Sequence, residues 1–314
     1  MTNDLPPLPD LDTIKARLPK LTRRLVDAAL TMEEVTPDRP EYMHALLCQL
    51  GLPRSKQQER VFYRSSGNAS LMLEAGKLAT GLGRWDDMPL PYGAKPRLVL
   101  YHLCSEAVRT QSPIIDVGGS IRGFLGRVGI GWGGGELAEF KRQMTALACC
   151  RMTLAFLDPV SRRLSQTQAA PIKSFEAWLH ANENQGAFWT DEIHLDRDFY
   201  DTLCAHAVPL DPLAIGALKH SALALDFYTW LAHRLCRVRT DNGVKVSWAN
   251  LREQFGQEYA DPKDFKKKAK LALRSVLTAY GSARVSDETG GIRLYPSPPP
   301  VPKSQVLIDL GSRK

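Results

Sequence analysis

The sequence predicts a mainly helical α+β chain, with β-hairpin wings on tandem winged helix-turn-helix domains and a helical N-terminal arm. Two observations carry most of this. The order helix, strand, helix, helix, strand, strand can be read twice along the chain, and each copy closes on two strand-type segments joined by a turn. A third observation gives the arm: prolines divide the first ninety or so residues into short helical pieces. A chain of 314 residues holds two domains of ordinary size. The expected boundaries are 1–95 for the arm, 96–195 for the first winged domain, 196–296 for the second and 297–314 for a proline-rich, disordered tail.

In the arm, Leu11–Leu18, Leu21–Met32 and Tyr42–Leu50 read as helical, with breaks at Pro19, Pro37, Pro40 and Pro53. Pro89-Leu90-Pro91-Tyr92-Gly93 is a turn-rich hinge. Beyond it, Leu98, Tyr101, His102, Ser105 and Val108 recur at helical spacing and predict a helix over Pro96–Thr110. A short strand follows at Ile114–Val117, then a helix over Ser120–Val128 with Ser120 as N-cap, a glycine-rich loop, and a helix over Gly135–Cys150. Arg151–Leu157 and Arg162–Ala169 are strands around the Asp158-Pro159 turn.

The second copy begins with one long helix, Leu213–Arg237, and continues with a strand at Val244–Ser247 and a helix over Trp248–Gly256. Pro262–Tyr280 is the next helix, since Asp261 followed by proline is a favoured helix start. Strands Ser282–Ser286 and Ile292–Tyr295 flank a turn over Asp287–Gly291. Between the copies, Phe175–Phe199 places Trp178, Phe188, Trp189 and Ile193 where they can cover a hairpin. Pro296–Pro302 reads as extended, with disorder from there to Lys314.

Composition directs the search for partners. Forty-one Lys and Arg against 34 Asp and Glu give a formal charge of +7 and a pI near 9.1, which favours polyanions. No run approaches the roughly 18 to 20 apolar residues that span a bilayer, and Met1–Asp10 lacks the basic-then-apolar start of a signal peptide. The expectation is a cytoplasmic protein with no membrane partner. The six cysteines form no CxxC pair and lie mostly in apolar helical runs, so they are expected as buried reduced thiols.

On Pro262–Tyr280, a 100° step per residue collects Phe265, Ala269, Ala272, Leu273, Val276 and Tyr280 on one face. Lys263, Lys266, Lys267, Lys270 and Arg274 form a stripe roughly 100° wide, centred away from that face. Solvated helix faces usually mix signs, because like charges at i,i+4 are destabilising, and Asp264 is the only acid in the run. The stripe is therefore read as a DNA contact in preference to a solvated face. In the first copy, Lys141, Arg142 and Thr145 lie opposite the apolar stripe of Leu137, Phe140, Met144 and Leu147, a pattern suiting either a major groove or plain surface. Arg151, Arg162 and Arg163 on the first wing are placed to meet phosphate.

Catalytic patterns are missing. Gly129-Ile130-Gly131-Trp132-Gly133-Gly134 matches GxGxxG but follows a helix, outside any βαβ unit, so it is read as a turn between helices. There is no GxxxxGK[ST], HExxH or GxSxG, and the seven histidines are scattered. No catalytic residue, cofactor or metal is expected, and a nicking or strand-transfer enzyme would lack its usual groups.

Several blocks resemble the RepA-type replication initiators of broad-host-range bacterial plasmids. Leu90-Pro91-Tyr92-Gly93 with Pro96-Arg97-Leu98, and Leu103–Thr110, are similar to the family's entry into its first winged helix. Val208-Pro209-Leu210-Asp211, Leu218-Lys219, Ser221, Leu223–Asp226, Tyr228 and Trp230-Leu231 resemble its second-domain signature. Trp248, Gln254-Phe255-Gly256, Tyr259, Asp264-Phe265-Lys266 and Pro296–Pro299 extend the resemblance, which spans about Leu71 to Val301. It implies an initiator that binds directly repeated sites (iterons) in double-stranded DNA at a plasmid origin, helps to open the duplex, and recruits a host initiator and replicative helicase. It also implies a homodimer that represses and a monomer that initiates. Two unequal reading helices favour direct repeats, whereas the rival reading, a winged-helix transcriptional repressor, normally meets a palindrome.

Overall fold

The computed structural model describes residue 15, residues 19–34, 39–172 and 192–303, and residue 306. The helical piece Leu11–Leu18, apart from Lys15, the aromatic residues Trp178, Phe188 and Trp189, and the end of the tail lie outside the described residues.

Helix α1 (Lys20–Glu34) opens the described chain. The segment read as one helix over Tyr42–Leu50 is instead a strand, β1 (Glu41–His44), followed by the short helix α2 (Ala45–Gln49). The change occurs at His44, whose Nδ1 accepts from the Leu46 backbone N–H at 3.1 Å and caps α2. The arm is also less helical than expected further on. Residues 61–87 form two hairpins, β2 (Val61–Ser66) with β3 (Ala69–Glu74), and β4 (Lys77–Gly81) with β5 (Arg84–Asp87). The alternation of β2 and β3 explains the first: Phe62 and Arg64, with Leu71 and Leu73, are buried, while Tyr63, Ser65 and Ser70 face outward.

The first repeat is α3 (Ala94–Thr110), β6 (Ile114–Asp116), α4 (Ile121–Arg127), α5 (Gly134–Cys149), β7 (Arg151–Leu157) and β8 (Leu164–Ala169). Ser120 caps α4, its hydroxyl accepting from Gly123 N–H at 3.1 Å. Hairpin β7–β8 does not stand alone. Strand β3 pairs with β7 to give an antiparallel sheet of order β2-β3-β7-β8, so the arm's hairpin widens the repeat's own. Strand β6 pairs with β9 (Glu192–His194).

Helix α6 (Arg197–Ala205) and strand β10 (Ala207–Leu210) lead into the second repeat, and β10 pairs antiparallel with β1. The single long helix expected over Leu213–Arg237 is two helices, α7 (Pro212–Leu218) and α8 (Ala222–Arg234), with a 3₁₀ turn at Leu235–Arg237. Ser221 starts α8 anew by accepting from Ala224 N–H at 3.2 Å, as Asp211 starts α7 by accepting from Leu213 N–H at 2.7 Å. Then come β11 (Val244–Ser247), α9 (Trp248–Phe255), α10 (Pro262–Ala279), β12 (Val285–Glu288) and β13 (Gly291–Leu294), with sheet order β11-β13-β12.

One connected set of buried apolar side chains runs through the arm and both repeats, including Leu50, Leu71, Leu103, Phe140, Leu225 and Phe265. Two buried ion pairs cross it. Arg97 of α3 meets Asp226 of α8 through two parallel bonds of 2.7 Å and also donates to the carbonyl oxygens of Leu52 and Gly93, at 2.6 Å each. Arg64 of β2 donates to Glu258 at 3.1 Å, and the second oxygen of that carboxylate accepts from the backbone of Arg54 and Ser55. Gly51 is needed at this junction: a Cβ there would lie 2.4 Å from Asp226 Oδ2.

Candidate DNA interface

Helix α10 is fixed before any side chain on its outer face is considered. Asp261 accepts from Lys263 N–H at 2.8 Å, Pro262 occupies the first turn, and Phe265, Ala269, Ala272, Leu273, Val276 and Ala279 are buried. The turn before it is tight, since a Cβ on Gly256 would lie 2.4 Å from the Phe265 ring. Lys263, Lys266, Lys267 and Arg274 are exposed, and Lys270, near the middle of the same stripe, is half-buried.

Two contacts shape the stripe. The ammonium groups of Lys266 and Lys270 each lie 5.7 Å from the centre of the Trp248 ring at the start of α9, within reach of a cation–π attraction. Lys270 also forms an ion pair with Asp287 of β12. In the same hairpin Glu288 pairs with Arg293. The hairpin of the second repeat thus sets one acid, Asp287, against α10, a contact the sequence reading missed because it forms only when α10 and β12 pack. Lys268, left out of the predicted set, is exposed on another side of α10, where it lines a cavity shared with Leu25 of α1.

The predicted residues of the first repeat are less uniform. Arg142 is exposed, ion-paired with Glu139, and donates to the Tyr92 hydroxyl at 3.1 Å. Lys141 is half-buried. Thr145, expected toward solvent, is 8% exposed, and its hydroxyl donates to the Lys141 carbonyl at 2.9 Å. Helix α5 packs against α3 and also meets β4 of the unforeseen hairpin, and its buried face takes in Gln143 and Thr145 beside the apolar stripe. Arg151, Arg162 and Arg163 are all exposed but are not brought together. Arg151 begins β7, while the other two precede β8 beyond the turn, so the hairpin's length of roughly 20 Å separates them. Asp158 orders that turn by accepting from Val160 and Ser161 N–H, at 2.8 and 2.9 Å.

The cysteines are not uniformly buried. Cys48, Cys104 and Cys150 are enclosed, and burial pushes the Cys104 and Cys150 thiols up to about 12, whereas Cys204 is exposed. Among the described residues no helix is long and apolar enough to cross a membrane.

Comparison with known proteins adds a family. No curated protein matches the chain. Two crystal structures of domains 2 and 3 of RctB resemble it, at 13% and 12% identity with TM-scores of 0.49 and 0.48. Each covers 80% of this chain, over 98% and 96% of its own length. Residues 90–250, more than half of the 314, match the family described as plasmid-encoded RepA protein. The match stops short of α10, so the basic stripe stands on its own geometry. The chain belongs to the plasmid-encoded RepA proteins, the RepA-type replication initiators that its sequence blocks resemble.

Proposed function

We propose that this protein initiates plasmid replication by gripping repeated origin sequences in double-stranded DNA, opening the adjacent duplex and recruiting host replication proteins. In this reading the two repeats are winged helix-turn-helix units. Helix α10 enters the major groove of one site segment, and α5 with the β7–β8 wing approaches another. The observation that carries the proposal is the exposed run of Lys263, Lys266, Lys267 and Arg274 on a helix whose opposite face is fixed in the core, within a chain of the RepA family. A single-sign stripe of this kind supplies the phosphate attraction that dominates affinity for duplex DNA.

The protein works in the cytoplasm without catalytic residues, cofactor or metal, and passes between a homodimer and a DNA-bound monomer. Footprinting on the origin of its plasmid tests the core of this proposal. Protection of directly repeated segments is the expected result, and protection of one palindrome would favour a transcriptional repressor. Supercoiled plasmid incubated with the protein and Mg²⁺ should stay closed. Nicking would overturn the non-enzymatic reading.

A further inference from the structure

The loop between α4 and α5 sets where the first reading helix begins, and its own chemistry holds it weakly. Gly129, Gly131, Gly133, Gly134 and Gly135 crowd into seven positions, and Gly133 starts α5 without a side-chain cap. A Cβ added at Gly131, Gly133, Gly134 or Gly135 would meet nothing within 4 Å. Ordering such a segment costs more entropy than ordering most others. Within the first repeat, the backbone N–H groups of Gly129 and Ile130 donate to the carbonyls of Gly126 and Leu125, at 3.1 and 2.8 Å. A further tie comes from outside it: Lys219 Nζ donates to the Gly129 carbonyl at 2.7 Å.

Lys219 belongs to the second repeat, in the turn between α7 and α8. Ser221 orders that turn, its N–H donating to the Leu218 carbonyl at 3.0 Å while its hydroxyl accepts from Ala224 N–H at 3.2 Å. Both α7 and α8 pack against α10, whereas α5 packs against α3 and meets β4. A cavity of about 450 Å³ lies where loop and turn face each other, lined by Gly129, Ile130, Gly131, Glu136, Lys219 and His220. The half-buried Lys219 side chain spans this place, and a bond from a charged donor is stronger than one between neutral groups. We propose that Lys219 is a positioning residue for α5: seated on the helices that support α10, it fixes the loop from which α5 starts, so that the two reading helices meet DNA in one set relation. This rests on the reading that α5 and α10 both approach duplex DNA.

Hydrogen exchange in the full-length protein without DNA tests the hold on the loop. Lys219→Met keeps the stem and removes the donor, and exchange at the Gly129 and Ile130 amides should quicken about tenfold, the loss of one bond from a charged group. The melting temperature should hardly move, because the core beneath is untouched. Lys219→Arg, which restores a charged donor, should return exchange toward the wild-type rate. On origin duplex, Lys219→Met should keep the protection given by α10 and lose the part given by α5, and Lys219→Arg should recover both. A lysine that only touched DNA would leave exchange in the free protein unchanged. Unchanged exchange in Lys219→Met, or faster exchange with the whole footprint intact, would overturn the proposal. Wild-type protein that protects no duplex would instead sink the functional reading beneath it, while the exchange comparison still decides whether Lys219 holds the loop.

Discussion

Lys270 of α10 is ion-paired with Asp287 of β12, so one member of the basic stripe already has a counter-charge in the free protein. Duplex DNA must exchange that carboxylate for a phosphate before Lys270 contributes. Replacing Asp287 with Asn should raise duplex affinity and steepen the salt dependence by up to about 0.9 in log–log slope, the release of one more counterion. Titrations at several salt concentrations check this. A slope identical to wild type would mean that Lys270 faces no phosphate.

Arg274 differs in kind from the lysines, because its planar fork can hold a guanine edge at two points. Arg274→Ala should weaken the origin site by roughly 1 to 3 kcal/mol relative to unrelated duplex of the same length. Competition between the two duplexes measures it, and equal losses on both would make Arg274 a phosphate contact only.

The Arg97–Asp226 pair ties the loop at Leu52, the first repeat and the second repeat together in the interior. Asp226→Asn leaves a buried guanidinium without its counter-charge and should destabilise the fold by about 3 to 5 kcal/mol. Urea unfolding tests this. A loss under about 1 kcal/mol would show that water reaches Arg97 once the charge is gone.

His44 is buried, and that burial, with His206 nearby, pushes its pKa down to about 4, while its Nδ1 must stay unprotonated to cap α2. Its folded pKa lies below the unfolded value near 6.5, so the unfolded chain binds the proton more readily. The stabilisation is complete above about pH 6.5 and is lost as pH falls toward 4, with about 2 kcal/mol gone by pH 5. His44→Asn keeps a capping acceptor and removes the titration, so its melting temperature should fall less between pH 7 and pH 5. Equal falls in both proteins would put the acid sensitivity elsewhere.

Helix α10 was legible in the sequence because everything that defines it is local: an Asp-Pro start, one apolar face at helical spacing, and a single acid among the lysines. Thr145 was misjudged because its surroundings are not local. The same periodicity places it beside Arg142, yet it is buried, on a helix that also meets β4 of the arm's second hairpin. That hairpin was itself hidden by a reading that took the prolines before Pro53 as the arm's pattern throughout. The period-two alternation of Phe62 to Leu73 was present and would have revealed the first of the two hairpins. The break at Ser221 was likewise visible as a capping residue inside an apolar run. No sequence signal could have joined Trp248 to Lys266 and Lys270, or Lys270 to Asp287, because those contacts exist only after α9, α10 and β12 have packed.

The most direct measurement is the salt dependence of binding to origin duplex for wild-type protein and Lys267→Ala. Lys267 is exposed on the basic stripe and lies opposite the buried side of α10, and alanine favours helix. The slope should fall by about 0.9 while the melting temperature stays where it was. Binding with wild-type affinity and slope would contradict the assignment of this face to DNA and leave α10 a solvated helix.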